Sequence, residues 1–71
     1  ALDRLARLKQ WRKRKALELD VAAFMVFSDK TLRDLAEKNP SSREGLREVY
    51  GVGEAKLEAF GTELLQELSS T

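Results

Sequence analysis

Apolar residues recur at helical spacing along most of the chain, with charged residues between them. The first such stretch, from residue 2 to about residue 19, predicts a long helix with no proline or glycine to interrupt it. Arg12 falls on its apolar stripe, so we expect its stem to cover apolar surface and its guanidinium to pair with a carboxylate or a helix end. The inward side of this helix is predicted to carry Leu5, Leu8, Ala16 and Leu19.

The longest unbroken apolar run, residues 21–27, follows this helix. It ends at Ser28, whose hydroxyl can accept a hydrogen bond from a free amide of the next helix. We expect a single helical turn or an extended buried segment here, with the other helices packed around it. A strand is rejected because no partner strand pattern occurs elsewhere in the chain.

Three further helices are predicted. The first spans about residues 29–38 and closes before Pro40, which disfavours helical backbone at Asn39. Ser41 and Glu44 match a capping box that opens a short helix to about residue 49. The last helix is expected over residues 54–68, continuous through Gly61. The predicted inward residues of these helices are Leu32, Leu35, Ala36, Leu46, Val49, Leu57, Phe60, Leu64 and Leu68.

Composition limits the possible functions. The 71 residues suit one small domain, and they include neither cysteine nor histidine. We therefore expect no catalytic residue, no metal site and no cofactor, and the absence of a Walker-type phosphate loop places any ATP hydrolysis elsewhere. No apolar run is long enough to span a membrane. Charged residues make up 35% of the chain for a net charge of only +1, but bases cluster at residues 9–15 and acids outnumber bases from residue 54 onward. Such polarity suits a polyanion on one side and a protein on the other.

Gly51 and Gly53 flank Val52 between two predicted helices, a pattern that looks like a helix-hairpin-helix element. In such a turn the backbone amides and the N-terminus of the following helix point outward together and can hold one phosphate. Lys56 could add a cation, whereas Glu54 would repel the phosphate. The alternative is an ordinary joint between two helices.

Taken in order, these segments resemble an HRDC domain, the helicase-and-RNase-D C-terminal module of RecQ-type DNA helicases and of ribonuclease D. The resemblance covers nearly the whole chain, and RecQ helicases fit better than ribonuclease D on overall likeness. It implies an all-α, compact five- or six-helix bundle that binds DNA or RNA modestly as an accessory module. Ala22 and Ala23 depart from the prolines that many members carry. The matching residues include Trp11-Arg12, the run from Phe24 to Leu32, Leu35-Ala36, Pro40, Leu46, Gly51-Val52-Gly53, Lys56-Leu57 and Phe60-Gly61.

An aromatic residue at the position of Phe24 can, in this family, lie exposed and stack on single-stranded nucleic acid. The alternative is that Phe24 belongs to the core, as its apolar neighbours suggest. Trp11 likewise is either a stacking residue or the edge of the core, and the basic residues are either phosphate contacts or a solvated helix face. The predicted nucleic-acid-binding residues are Lys9, Trp11, Lys13, Arg14, Phe24, Lys30, Arg33, Gly51, Gly53 and Lys56.

A second hypothesis assigns the chain to docking against other domains of the same protein, with little DNA contact. The acids expected to carry it are Asp34, Glu37, Glu54 and Glu58.

The leading expectation is that residues 1–71 form one HRDC-like domain, itself not an enzyme. We expect it to be a C-terminal fragment of a RecQ-type ATP-dependent DNA helicase that acts in recombination and repair. The alternative parent protein is a ribonuclease D-type exonuclease. The domain's expected partners are single-stranded or partial-duplex DNA, bound weakly, and other domains of the helicase. We expect a monomer located in the cytoplasm, and on the nucleoid if the source is bacterial.

Overall fold

The structure is a computed structural model that describes residues 2–69, where it contains five α-helices and no strand. The prediction of an all-α bundle is confirmed, with five helices. The helices are α1 (Leu2–Leu19), α2 (Ala23–Val26), α3 (Asp29–Lys38), α4 (Arg43–Arg47) and α5 (Glu54–Ser69). Helix α1 packs against α2, α3 and α5, and α4 packs against α5. Within the described range, no helix is long and apolar enough to cross a membrane.

The core forms where the apolar stripes of the helices meet, and the predicted stripes of α3 and α5 are buried. Full burial of each such side chain contributes about 1.5–3 kcal/mol. Leu19 is an exception, because it is 50% exposed rather than inward. Helix α1 ends there, Asp20 adopts a left-handed φ of 57°, and the amide of Val21 donates to the carbonyl of Ala16 at 3.0 Å. The most deeply buried leucines are Leu8, Leu32, Leu35, Leu46, Leu57 and Leu64.

The apolar run at residues 21–27 is only partly central. Val26 and Phe27 are buried, but Phe24 is 74% exposed and Met25 is 55% exposed. The expectation of a buried segment is therefore wrong for the first part of the run. Four residues make a single helical turn, and a single turn can bury only one side against α1.

Two serines cap the N-termini of α3 and α4. Ser28 accepts a hydrogen bond from the Thr31 amide at 3.2 Å, which confirms the predicted cap of α3. The predicted capping box at Ser41 is wrong by one residue, because Ser42 accepts from the Gly45 amide at 3.1 Å. Ser42 has the extended backbone (φ −144°, ψ 163°) that an N-cap requires, so α4 begins at Arg43 and ends at Arg47.

Gly51 is the glycine that the α4–α5 turn requires. Its φ is +80°, and a Cβ atom there would collide with Thr31 Oγ1. Gly53 differs, since a Cβ atom at that position would meet no atom within 4 Å. The tight turn predicted from the two glycines is therefore imposed by Gly51.

Gly51→Ala should lower the free energy of unfolding by about 1–3 kcal/mol, because alanine is strained at this φ and its methyl group would displace Thr31. Gly53→Ser is the matched control, since serine suits the N-cap of α5 and its side chain has room. Urea unfolding of both variants checks this. Equal losses of stability in the two would contradict the assignment.

Candidate nucleic-acid interface

Two cations hold the carbonyl end of α2. Lys56 Nζ donates to the Met25 carbonyl at 2.6 Å, and Arg12 Nη1 donates to the Phe27 carbonyl at 3.0 Å. Carbonyls at a helix end lack partners within the helix and carry partial negative charge, so cations stabilise them. Arg12 also pairs with Asp29 Oδ1 at 2.9 Å, which confirms its predicted structural role and lowers the pKa of the Asp29 carboxyl. Helix α2 is thereby fixed between α1 and α5.

An aromatic cluster lies beneath this junction. Trp11, Phe27 and Phe60 form three ring pairs with centroids 5.7–6.1 Å apart. The Lys56 ammonium lies 5.6 Å and 5.7 Å from the centroids of Phe27 and Phe60. Trp11 is only 4% exposed, so its predicted role in stacking on a base is wrong. The alternative, that Trp11 lies at the edge of the core, is closer to the structure, in which the ring is part of the core.

A shallow groove opens where α2 meets the α4–α5 turn. We call it the α2 groove and define it by the residues on its rim, which are Phe24, Met25, Tyr50, Gly51 and Lys56. Its volume is about 390 Å³, and Ser28 and Thr31 of the α3 N-terminus also line it. The groove brings together three of the predicted contact residues: Phe24, Gly51 and Lys56. Lys56 contributes a cation that is already bonded to the Met25 carbonyl.

Tyr50 and Met25 are the two of these five groove residues that the sequence analysis missed, and Tyr50 is the aromatic one. The Tyr50 side chain lies in the turn before α5. It is 55% exposed, and the Lys30 ammonium lies 4.3 Å from the centroid of its ring. Its only signal in the sequence is an aromatic residue immediately before the glycine of a turn, a place where burial is not expected. The structure gives Lys30 a partner in this ring rather than leaving it as an isolated charge on α3.

Asp34 holds the Tyr50 segment in place. Its Oδ2 accepts from the Tyr50 amide at 2.8 Å and pairs with Lys38 Nζ at 3.0 Å. Lys38 Nζ also donates to the Glu48 carbonyl at 2.8 Å. The Tyr50 hydrogen bond, followed by the Lys38 hydrogen bond, lowers the pKa of the Asp34 carboxyl. Asp34, predicted as a docking acid, thus has a role within the fold.

The remaining predicted bases divide between two faces. Lys9 of α1 and Arg33 of α3 are exposed and lie close enough to Asp29 to help lower its carboxyl pKa, after the larger effect of Arg12. Lys13 is exposed one helical turn after Lys9. Arg14 instead pairs with Glu67 of α5 at 3.4 Å. The structure therefore does not bring Arg14 to the same face as the other bases.

The other predicted docking acids are mostly engaged within the chain. Glu54 pairs with Arg47 at 3.0 Å, and Glu58 pairs with Arg43 at 3.5 Å. Glu37 is exposed on α3. Exposed pairs of this kind contribute about 0–1 kcal/mol each to stability. Residues 2–69 contain no group of three or more acids that could hold a metal ion.

A family model described as the HRDC domain matches residues 1–68. The chain is 42% identical over 62 residues to the ATP-dependent DNA helicase UvrD2 of Mycobacterium tuberculosis, a match that covers 87% of the chain and 9% of that helicase. It is 41% identical over 64 residues to the ATP-dependent DNA helicase RecQ of Bacillus subtilis, covering 90% of the chain and 11% of that helicase. The chain thus spans about a tenth of the length of these curated relatives.

The solved structure of HRDC domain 3 of D. radiodurans RecQ is similar to this one with a TM-score of 0.94. The two are 33% identical, and the match covers 97% of this chain and 91% of the other. The likeness to a UvrD-type helicase was not anticipated from the sequence.

Asp34→Asn should reduce the dependence of stability on acid pH. The folded protein holds the carboxyl pKa below its ordinary value of 3.8, so the carboxylate stabilises the fold above that pH and the contribution is lost as pH falls below it. Asparagine does not titrate, so the variant should lose less stability between about pH 5 and about pH 2, while being less stable at neutral pH. Urea unfolding across this range measures both effects.

The control is Glu37→Gln, an exposed acid on the same helix, which should leave the pH profile of the parent unchanged. A parent-like acid profile for Asp34→Asn would contradict the role given to this carboxylate.

Proposed function

The chain belongs to the HRDC domain family, and we propose that it is a nucleic-acid-binding accessory domain of a larger ATP-dependent DNA helicase. RecQ and UvrD2 are both named as such helicases, which supports a parent of either type over a ribonuclease D-type exonuclease. The motor would reside outside this chain, and the parent would act in DNA recombination and repair. We propose a monomeric domain within a cytoplasmic protein, associated with the nucleoid in a bacterium.

The exposure of Phe24 is the observation that carries the proposal. Two of the three phenylalanines are buried, whereas the ring of Phe24 is 74% exposed at the rim of the α2 groove. An exposed aromatic ring loses hydrophobic stabilisation unless a partner covers it. The unstacked base of a single strand is such a partner, with a stacking contribution of about 1–3 kcal/mol.

Cations around the groove supply the attraction to phosphate. Lys56 lies at its rim, Lys30 stands beside Tyr50, and exposed Lys9, Lys13 and Arg33 extend the basic surface over α1 and α3. Because the net charge of the chain is only +1, the long-range attraction is small. We therefore propose weak binding that falls with salt and depends on DNA structure rather than on sequence.

The glycine turn gives a proposed backbone contact. Gly53 directly precedes α5, which has 16 residues, and the space where its Cβ atom would lie is open. A phosphate could approach the first amides of α5 there, as the helix-hairpin-helix likeness implies. Glu54 would repel it less than a free carboxylate, because Arg47 is 3.0 Å from Glu54 Oε1.

The second candidate function is docking against other domains of the helicase. Phe24 and Met25 form an exposed apolar pair that a protein could also cover. The acids proposed for docking support this less, because Asp34, Glu54 and Glu58 already pair within the chain. Docking alone would leave the isolated chain without affinity for DNA.

Phe24→Ala should weaken binding to an unpaired oligothymidylate by about five-fold or more, through loss of stacking. Fluorescence anisotropy with the isolated chain at low salt measures the affinity. Leu17→Ala is the matched control, because Leu17 is 75% exposed but does not line the groove. An equal effect of the two substitutions, or no binding by the parent chain, would contradict the proposal.

Lys13→Gln should lower the slope of log affinity against log salt by about 0.7, the value for one lost phosphate contact to a single strand. Arg14→Gln, one residue along the same helix, should leave the slope unchanged because Arg14 faces Glu67 of α5. Anisotropy titrations at several salt concentrations give the slopes. A larger change for Arg14 than for Lys13 would move the interface to the α1–α5 face.

A further inference from the structure

Tyr50 separates two grooves. On one side it lines the α2 groove, and on the other it lines a second groove of about 330 Å³ together with Lys30, Arg33, Asp34 and Glu37. Lys30 stands over the ring and lines only the second groove. Tyr50 is therefore the residue that the two grooves share, and it lines the α2 groove together with Phe24.

The Tyr50 ring is held in place before any ligand arrives. Its amide donates to Asp34 Oδ2 at 2.8 Å, and the next residue is Gly51, whose left-handed backbone lies against Thr31. The Lys30 ammonium, 4.3 Å from the ring centroid, restrains the ring through a cation–π contact. A ring that is already oriented loses little conformational entropy on binding.

The fold makes little use of this ring. Tyr50 is 55% exposed, and its hydroxyl has no hydrogen-bond partner among residues 2–69. The backbone amide and the following glycine account for the structure of the turn. A polar or charged residue at position 50 would keep the same amide hydrogen bond and the same following glycine. The exposed aromatic ring is therefore available for a ligand.

We propose that Tyr50 is a second stacking residue, so that the α2 groove takes bases of an unpaired strand on two aromatic rings, Phe24 and Tyr50. This inference rests on the proposed function and specifies its ligand. Bases within a duplex are already stacked on their neighbours and cannot offer their faces, so two stacking rings select an unpaired stretch of at least two nucleotides. Lys30 is the positioning residue for the Tyr50 ring.

The test compares Tyr50→Leu with Tyr50→Phe on two strands of equal length. One strand is an oligothymidylate, and the other carries abasic spacers, so that it keeps the phosphates and lacks the bases. Anisotropy at low salt gives the affinities, and thermal unfolding checks that both variants fold as the parent does. Tyr50→Leu removes the ring, whereas Tyr50→Phe removes only the hydroxyl.

We expect Tyr50→Leu to weaken binding to the oligothymidylate by about five-fold or more, and Tyr50→Phe to bind as the parent does. On the abasic strand both variants should match the parent. The inference is overturned if Tyr50→Leu binds the oligothymidylate normally while Phe24→Ala does not, an outcome that leaves the proposed function standing. It is also overturned if the loss is equal on both strands, or if Tyr50→Phe loses as much as Tyr50→Leu. Absence of DNA binding by the parent chain overturns both proposals, and the apolar pair would then be assigned to a protein partner.

Discussion

The binding of two side-chain cations to the carbonyl end of α2 is the constraint on which the rest of the surface depends. Arg12 approaches from α1 and Lys56 from α5, and each bonds to a carbonyl that a helix of four residues cannot satisfy itself. Because the end of α2 is fixed, Val26 and Phe27 pack into the core, whereas Phe24 and Met25 stay exposed. The same two hydrogen bonds therefore position both the aromatic cluster and the exposed ring of Phe24.

The α2 groove is assembled from parts of the chain that are distant in sequence. Its lining residues come from α2, from the N-terminus of α3, from the turn before α5 and, through Lys56, from α5 itself. The turn is positioned by the carboxylate of Asp34 and by the contact of Gly51 with Thr31. Among the described residues, acids pair with the bases Arg14, Lys15, Lys38, Arg43 and Arg47, whereas the exposed bases Lys9, Lys13 and Arg33 lie on α1 and α3. The proposed binding therefore relies on shape and stacking more than on charge.

Sequence patterns predicted the helices well, because a long stripe of apolar residues at helical spacing fits no other secondary structure. The bounds of α1 and α3 and the cap at Ser28 were predicted from period and capping chemistry alone. Which side chains of a short segment are buried was harder to predict. A four-residue turn has no period to read, so the exposure of Phe24 stayed open, and adjacent serines at 41 and 42 are equivalent caps until the backbone is known. Trp11 and Tyr50 differed in outcome because tertiary packing, not helical period, buries one ring and leaves the other at the groove.

The most direct test of this account is a two-dimensional NMR titration of the chain with an unpaired oligothymidylate, following every backbone amide. We expect the largest shift changes at Phe24 and Met25 and in the segment from Tyr50 to Lys56, with smaller changes near Lys9 and Lys13. Changes confined to the α1–α5 face around Arg14 and Glu67, with the α2 groove unaffected, would contradict this account.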